Sequence, residues 1–332
     1  MKLHPIFTSG MVFAAGKAIR IFGQGRGNIT VYLNGETVNQ ICTCEKWLVQ
    51  LPPMPEGGPY DCVIDMNGKR IVLQDVYIGT VVLFAGQSNM QFKLSESLTP
   101  DTMRESIPSL RLFSTNRMEQ NEPYGMADGW LRCSRVNIDS WSAIAYLTGR
   151  ALTKTHPTSA VGAIACYQGA SVIESWLPEG ALAACGIVVP AAKKHIDHTH
   201  LPYAAWNGDG VLYRYALSQV IPFSLSAIVW YQGESDTTEA EGVVYDKELC
   251  LLIDRWRQDF DDPVLPFILI QIADYLPRND SGWKAVQIAQ TRVPQMRENV
   301  YMVVSADVCE KDNIHPPTKL YLAQRVADLL QF

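Results

Sequence analysis

Four short stretches of this sequence carry side chains and backbone positions suited to acyl transfer. In VVLFAGQSNMQ, residues 81–91, an unbroken apolar run ends in Gly86, Gln87 and Ser88, which places a hydroxyl where a buried strand stops and backbone N–H groups stand free. Ser88 is the candidate nucleophile; by itself it could equally be the cap of the next helix. In GAIACYQGASVIESW, residues 162–176, Gly169 follows a second strand-like run, where a backbone N–H can point outward unobstructed. In AIVWYQGESD, residues 227–236, Gln232 offers a side-chain amide donor just past a third run. Near the carboxyl end, Asp312-Asn313-Ile314-His315-Pro316 has a DxxH spacing. There the Asp312 carboxylate can reach the Nδ1–H of His315 and leave Nε2 to accept a proton.

A neutral serine hydroxyl is a weak nucleophile without such a base. Each stretch alone has a bland reading: a solvated loop histidine, a turn glycine, a glutamine bonded to backbone. Together they supply a nucleophile, a base, an orienting acid and oxyanion donors, all at strand ends that one sheet edge would gather.

The elements that must do the gathering are legible from pattern. Between Lys17 and Val76, short β segments at 18–22, 29–33 and 60–65 alternate with Asn34-Gly35 and Asn67-Gly68, the dipeptides of tight hairpins. This predicts a small antiparallel β-sandwich-like module over residues 1–76. It is read as packing beside the catalytic domain, since such a fold implies no function. From residue 77 to 332 the grammar changes. Apolar runs at 81–85, 110–113, 160–166, 226–231, 266–272 and 300–305 read as strands separated by helical spacing. One such helix places Leu249, Leu252, Ile253 and Trp256 on a single face, and a final helix begins at Pro316-Pro317. Strand–helix alternation of this length means a parallel sheet with helices on both faces and a site beyond the strands' carboxyl ends.

Composition narrows the function classes. A formal net charge of −6 supplies no basic field for a nucleic-acid backbone. No apolar run approaches the ~18 residues of a membrane span, and the amino terminus makes a poor secretory signal, so the cytoplasm is the expected compartment. The eight cysteines contain no CxxC pair and read as buried thiols rather than a zinc or disulfide framework. No cofactor and no metal is expected. His195, His198 and His200 have a spacing that could bind zinc but lack partner ligands, and read as a surface loop.

GQSNM at 86–90, GASVIESW at 169–176, WYQGESD at 230–236 and DNIHP at 312–316 resemble the four blocks of the sialate O-acetylesterase family, a carbohydrate-esterase branch of the SGNH hydrolases. IFTSGMVFAAGKAIRIFGQG and the Gly-Gly-Pro-Tyr of 57–60 resemble the β-module that precedes the catalytic domain in that family. The resemblance implies an SGNH-type, flavodoxin-like three-layer αβα domain. It also implies a triad of Ser88, His315 and Asp312, and an oxyanion hole from the N–H groups of Ser88 and Gly169 with the Gln232 amide. The substrate it implies is an O-acetylated carbohydrate.

The sequence departs from the family at Gly169-Ala170-Ser171, where two glycines and a threonine are usual, and at Val286-Gln287-Ile288-Ala289-Gln290, where an arginine is usual. The missing guanidinium weakens the case for an anionic sugar. Gln87, Asn89, Trp176 and Glu234 are candidate substrate contacts, with Trp206, Trp230 and Tyr231 as further aromatic surface for a sugar ring. Glu174 and Glu234 invite a rival glycosidase reading, although their place behind the donors favours bracing. A third reading is a carbohydrate-binding protein with an idle triad.

Overall fold

The computed structural model describes residues 1–119, 122–124, 129–188 and 205–331; the three histidines at 195, 198 and 200 lie outside them. One strand organises the molecule. This strand, β1, spans Lys69–Gly86. Its first half pairs antiparallel with Gly57–Met66 and parallel with Val12–Ala14, and its second half lies between two parallel neighbours. The expected division at residue 76 therefore falls inside a continuous strand.

The amino-terminal region folds as the hairpin signals foretell. Gly27–Leu33 pairs antiparallel with Glu36–Cys42 and with Gly57–Met66, while Ile19–Gln24 pairs with Lys2–Leu3 and Lys46–Leu51 in a second small sheet. Asn34 and Gly35 both have positive φ, as do Asn67 and Gly68, the conformation a two-residue hairpin of this twist requires.

Five further parallel strands complete the central sheet: β2 (Ile107–Ser114), β3 (Val161–Tyr167), β4 (Ala227–Tyr231), β5 (Phe267–Ile270) and β6 (Val300–Val303). Their order is β2-β3-β1-β4-β5-β6, with β1 at the point where the winding reverses. A short antiparallel strand, Leu131–Cys133, edges β2, so the sheet is mostly parallel.

Val81–Ala85 is buried throughout, and its alternate residues serve two cores. Val81, Leu83 and Ala85 pack with Leu249, Leu252, Ile253, Trp256, Trp283 and Val286, while Val82 and Phe84 pack with Ile144, Leu147, Leu322 and Val326. Helices Ala143–Thr155 and Leu320–Leu329 thus cover one face, and Tyr245–Asp259 and Ser281–Met296 the other. The last helix starts three residues beyond the two prolines because Pro317 accepts from Leu98 N–H and Thr318 bonds Glu310, which keeps that segment a loop.

All eight cysteines are free, and six are buried. Among the described residues no helix is long and apolar enough to cross a membrane.

Candidate active site

The carboxyl ends of β1, β3 and β4 meet at one rim. Gly86 has φ +138, and a Cβ there would fall 2.1 Å from Tyr231 O; no other residue lets β1 turn so close to β4. Helix α1, Ser88–Gln91, follows at once, with Ser88 as its first residue and half-buried. The Ser88 N–H has no partner among the described residues, as the first turn of a helix dictates. Across the rim, His315 Nε2 lies 2.8 Å from Ser88 Oγ although 227 positions separate them in the chain. Burial holds the His315 imidazole below its ordinary pKa, the nearby Lys319 charge adds to this, and Glu96 opposes it. A neutral imidazole at hydrogen-bond distance from a hydroxyl is the geometry general-base catalysis needs.

Gly169 borders the serine: a Cβ built on it would lie 3.7 Å from Ser88 Cβ. Its N–H, however, donates to Gln91 Oε1 at 2.9 Å. Asp312 is exposed and makes no hydrogen bond to His315 among the described residues. The neighbouring Asn313 Oδ1 takes the His315 backbone N–H at 2.9 Å and shapes the loop instead.

Beneath the rim lies a second, buried layer. The Gln232 amide, expected at the oxyanion, points down. Its Nε2 donates to Ser171 O at 2.9 Å and to Asp236 Oδ2, and its Oε1 accepts from Tyr245 OH at 2.8 Å. Both amide hydrogens are thus spent within the protein. Gln87 Oε1 accepts the N–H groups of Gly233 and Ser235. Asn89 Nδ2 donates to Glu234 Oε1 at 2.5 Å and Ile314 O at 2.9 Å, and its Oδ1 accepts from Lys319 Nζ at 2.7 Å.

Burial pushes the Glu234 carboxyl up in pKa, opposed by Asn89 and the Lys319 charge. Asp236 is raised well above the usual carboxylate range, by burial and then by Glu174, Glu241 and Glu248. Among the described residues no group of histidines, cysteines and carboxylates could hold a metal ion.

A family model described as "Carbohydrate esterase, sialic acid-specific acetylesterase" matches residues 79–330. The chain belongs to this family. It is 28% identical over 358 residues to the sialate O-acetylesterase of Homo sapiens, covering 94% of this chain and 66% of that protein. It is likewise 28% identical to that of Rattus norvegicus over 385 residues, covering 94% and 69%. The chain therefore spans about two thirds of the length of these curated relatives. The fold is similar to a carbohydrate acetylesterase from Xanthomonas citri, with TM-score 0.85 and 23% identity over 99% of this chain and 74% of that one. It is also similar to an Arabidopsis thaliana protein, with TM-score 0.53 and 20% identity over 76% of this chain and 97% of that one.

In this member of the sialic acid-specific acetylesterase family, several expected substrate contacts turn out to be internal. Trp176 is fully buried, stands edge-on to Trp230 at 5.9 Å and to Trp256 at 6.4 Å, and bonds Ser171 Oγ; it is core. Gln87, Asn89 and Glu234 are buried braces, not sugar contacts, because each carboxamide or carboxylate is turned to a neighbouring loop. The glycosidase reading fails on the same ground, since Glu174 and Glu234 are buried away from solvent.

The stretch that lacks the family's arginine also braces the buried layer. Gln290 Nε2 donates to Gln232 O, and its Oε1 accepts from Ile272 N–H. Sequence reasoning missed Gln91, Glu96 and Lys319. Their signal was only proximity to the motifs, and Lys319 near a helix start reads as solvated.

Proposed function

We propose that this chain hydrolyses O-acetyl esters of a carbohydrate, with Ser88 as nucleophile and His315 as base. The observation that carries the reading is the 2.8 Å contact between Ser88 Oγ and His315 Nε2 at the rim of an SGNH-type three-layer αβα fold. Ser88 Oγ bonds to the acetyl carbonyl carbon while its proton passes to His315 Nε2. The carbonyl oxygen, now an anion, accepts from the N–H groups of Ser88 and Gly169, donors that act most strongly in a dry site. The tetrahedral intermediate collapses, the sugar oxygen departs and takes the proton from Nε2, and water repeats the cycle on the acetyl-serine.

For Gly169 to serve, Gln91 Oε1 must first leave its N–H. Asp312, the acid the resemblance implies, has no contact with the imidazole in this structure, so Ser88 and His315 carry the chemistry as a pair. The curated relatives bear the name sialate O-acetylesterase, which makes O-acetylated sialic acid the first substrate to try.

The test is acetate release from a panel of O-acetylated sialic acids and acetylated xylo-oligosaccharides, run beside Ser88→Ala. Activity on at least one member, abolished by the substitution, is expected. Undiminished activity in Ser88→Ala would overturn the nucleophile, and a fluorophosphonate that leaves Ser88 unlabelled would favour a binding protein.

A further inference from the structure

Lys319 sits where fold stability alone would not put a lysine. It is 1% exposed, and lysines are almost never buried unless paired. It also caps the amino end of helix Leu320–Leu329, the positive end of the helix dipole, where a cation is unfavourable. A methionine of similar volume would escape both penalties, as replacements of buried ions by apolar side chains often do.

What the ammonium gains is specific. It donates to Asn89 Oδ1 at 2.7 Å and lies 5.0 Å from the centre of the Phe92 ring and 5.2 Å from that of Tyr231, distances at which a ring face attracts a cation. Asn89 follows the nucleophile directly, and its Nδ2 holds Ile314 O, the carbonyl directly before His315. Phe92 also stands beside the His315 ring, centroids 6.4 Å apart. The buried cation therefore holds the Ser88 side of the Ser88–His315 contact directly and reaches the His315 loop through Asn89.

We propose that Lys319 is a positioning residue for the hydrolysis: its buried ammonium locks the Ser88 turn to the His315 loop and places a positive charge behind the imidazole. This rests on the esterase reading above. The charged and titratable groups around the ammonium are Tyr231, Glu234, Cys309, Glu310 and His315; those acting on His315 are Lys319 and Glu96. With Lys319 protonated, the imidazolium is disfavoured and His315 remains a base at lower pH. Burial moves Lys319 itself down to about 8, so its charge is present through neutral pH.

The test is Lys319→Met, compared with wild type and with Glu96→Gln in pH profiles of kcat/KM. For Lys319→Met the acid limb is expected to move to higher pH and kcat to fall on the order of 10²-fold, the cost of a small misplacement of reacting groups. For Glu96→Gln, an exposed site, the acid limb is expected to move to lower pH. A folded Lys319→Met with the wild-type acid limb, whether kcat is kept or lost, would overturn the proposal by leaving only a structural role.

Should Lys319→Met fail to fold, NMR titration of wild type decides. Reciprocal steps in the Lys319 ammonium and His315 imidazole signals support the coupling, and independent single steps refute it. Failure of the esterase reading would look different, since wild type would then release no acetate, or Ser88→Ala would keep wild-type activity, whatever Lys319 does.

Discussion

The rim and the layer beneath it draw on the same four stretches of chain but hold their side chains in opposite ways. At the rim, Ser88 and His315 are half-buried and bonded to one another, and the Ser88 N–H is unspent. One residue away, Asn89 is buried and fully bonded, and Gln232, at the end of the neighbouring strand, is closed on every side by Ser171, Asp236 and Tyr245. The contrast teaches that a polar residue in a catalytic motif can be there to hold the motif. Donors already spent inside the protein stabilise the fold, whereas donors left unspent at the rim are available to a reacting group.

The largest effect should come from the rim. His315→Ala is expected to lower kcat by between about 10⁴- and 10⁶-fold, as loss of a general base does elsewhere, with an unchanged thermal midpoint; stopped-flow acetate release and calorimetry on one preparation check both halves.

The buried layer should break the other way. Gln232→Ala strands the groups bonded to its carboxamide and should cost about 1–3 kcal/mol of stability, measured by denaturant unfolding. The folded fraction should lose much less than the 10²–10³ in turnover that an oxyanion donor carries. A loss of that size at constant stability would return Gln232 to the oxyanion.

Gln91 stands between the two regions, since its oxygen occupies the Gly169 N–H. Freeing that donor by Gln91→Ala should raise kcat/KM by up to about 10-fold, the worth of one hydrogen bond. Gln91→Glu, a stronger acceptor, should lower it.

The buried acids give the layer a pH signature. Asp236 has its folded pKa raised by burial and by Glu174, Glu241 and Glu248. The folded state thus binds the proton more tightly than the unfolded one, and this contribution to stability declines as pH rises from the ordinary carboxylate range toward the raised value. The thermal midpoint of Asp236→Asn should fall less steeply over that window than that of wild type.

The smallest effect is expected at Asp312, exposed and out of contact with the ring. Asp312→Asn should change kcat/KM by roughly twofold, the size of an ordinary surface substitution. A loss near 10⁴ would restore the acid to a working triad.

The stretches that bring Ser88 and His315 together, and the sheet that joins them, were legible because each depends on local cues. An apolar run broken by Gly86, a hairpin dipeptide such as Asn34-Gly35, and the apolar face of Leu249, Leu252, Ile253 and Trp256 all act within a few residues of chain. Strand–helix alternation then brings the strand ends to one edge whatever the details of packing.

Direction was not legible. Whether the Gln232 amide faces out or in depends on Ser171, 61 positions away, and whether Asn89 meets a sugar or a lysine depends on Lys319, 230 positions away. Nor was the continuity of Lys69–Gly86 across residue 76, a strand whose two halves have different neighbours, because only those neighbours reveal it. Residue types and their spacing determined which chemistry this chain could hold. The tertiary structure alone decided which polar groups are spent in holding it, because a hydrogen bond is directional and its partner is chosen by the fold.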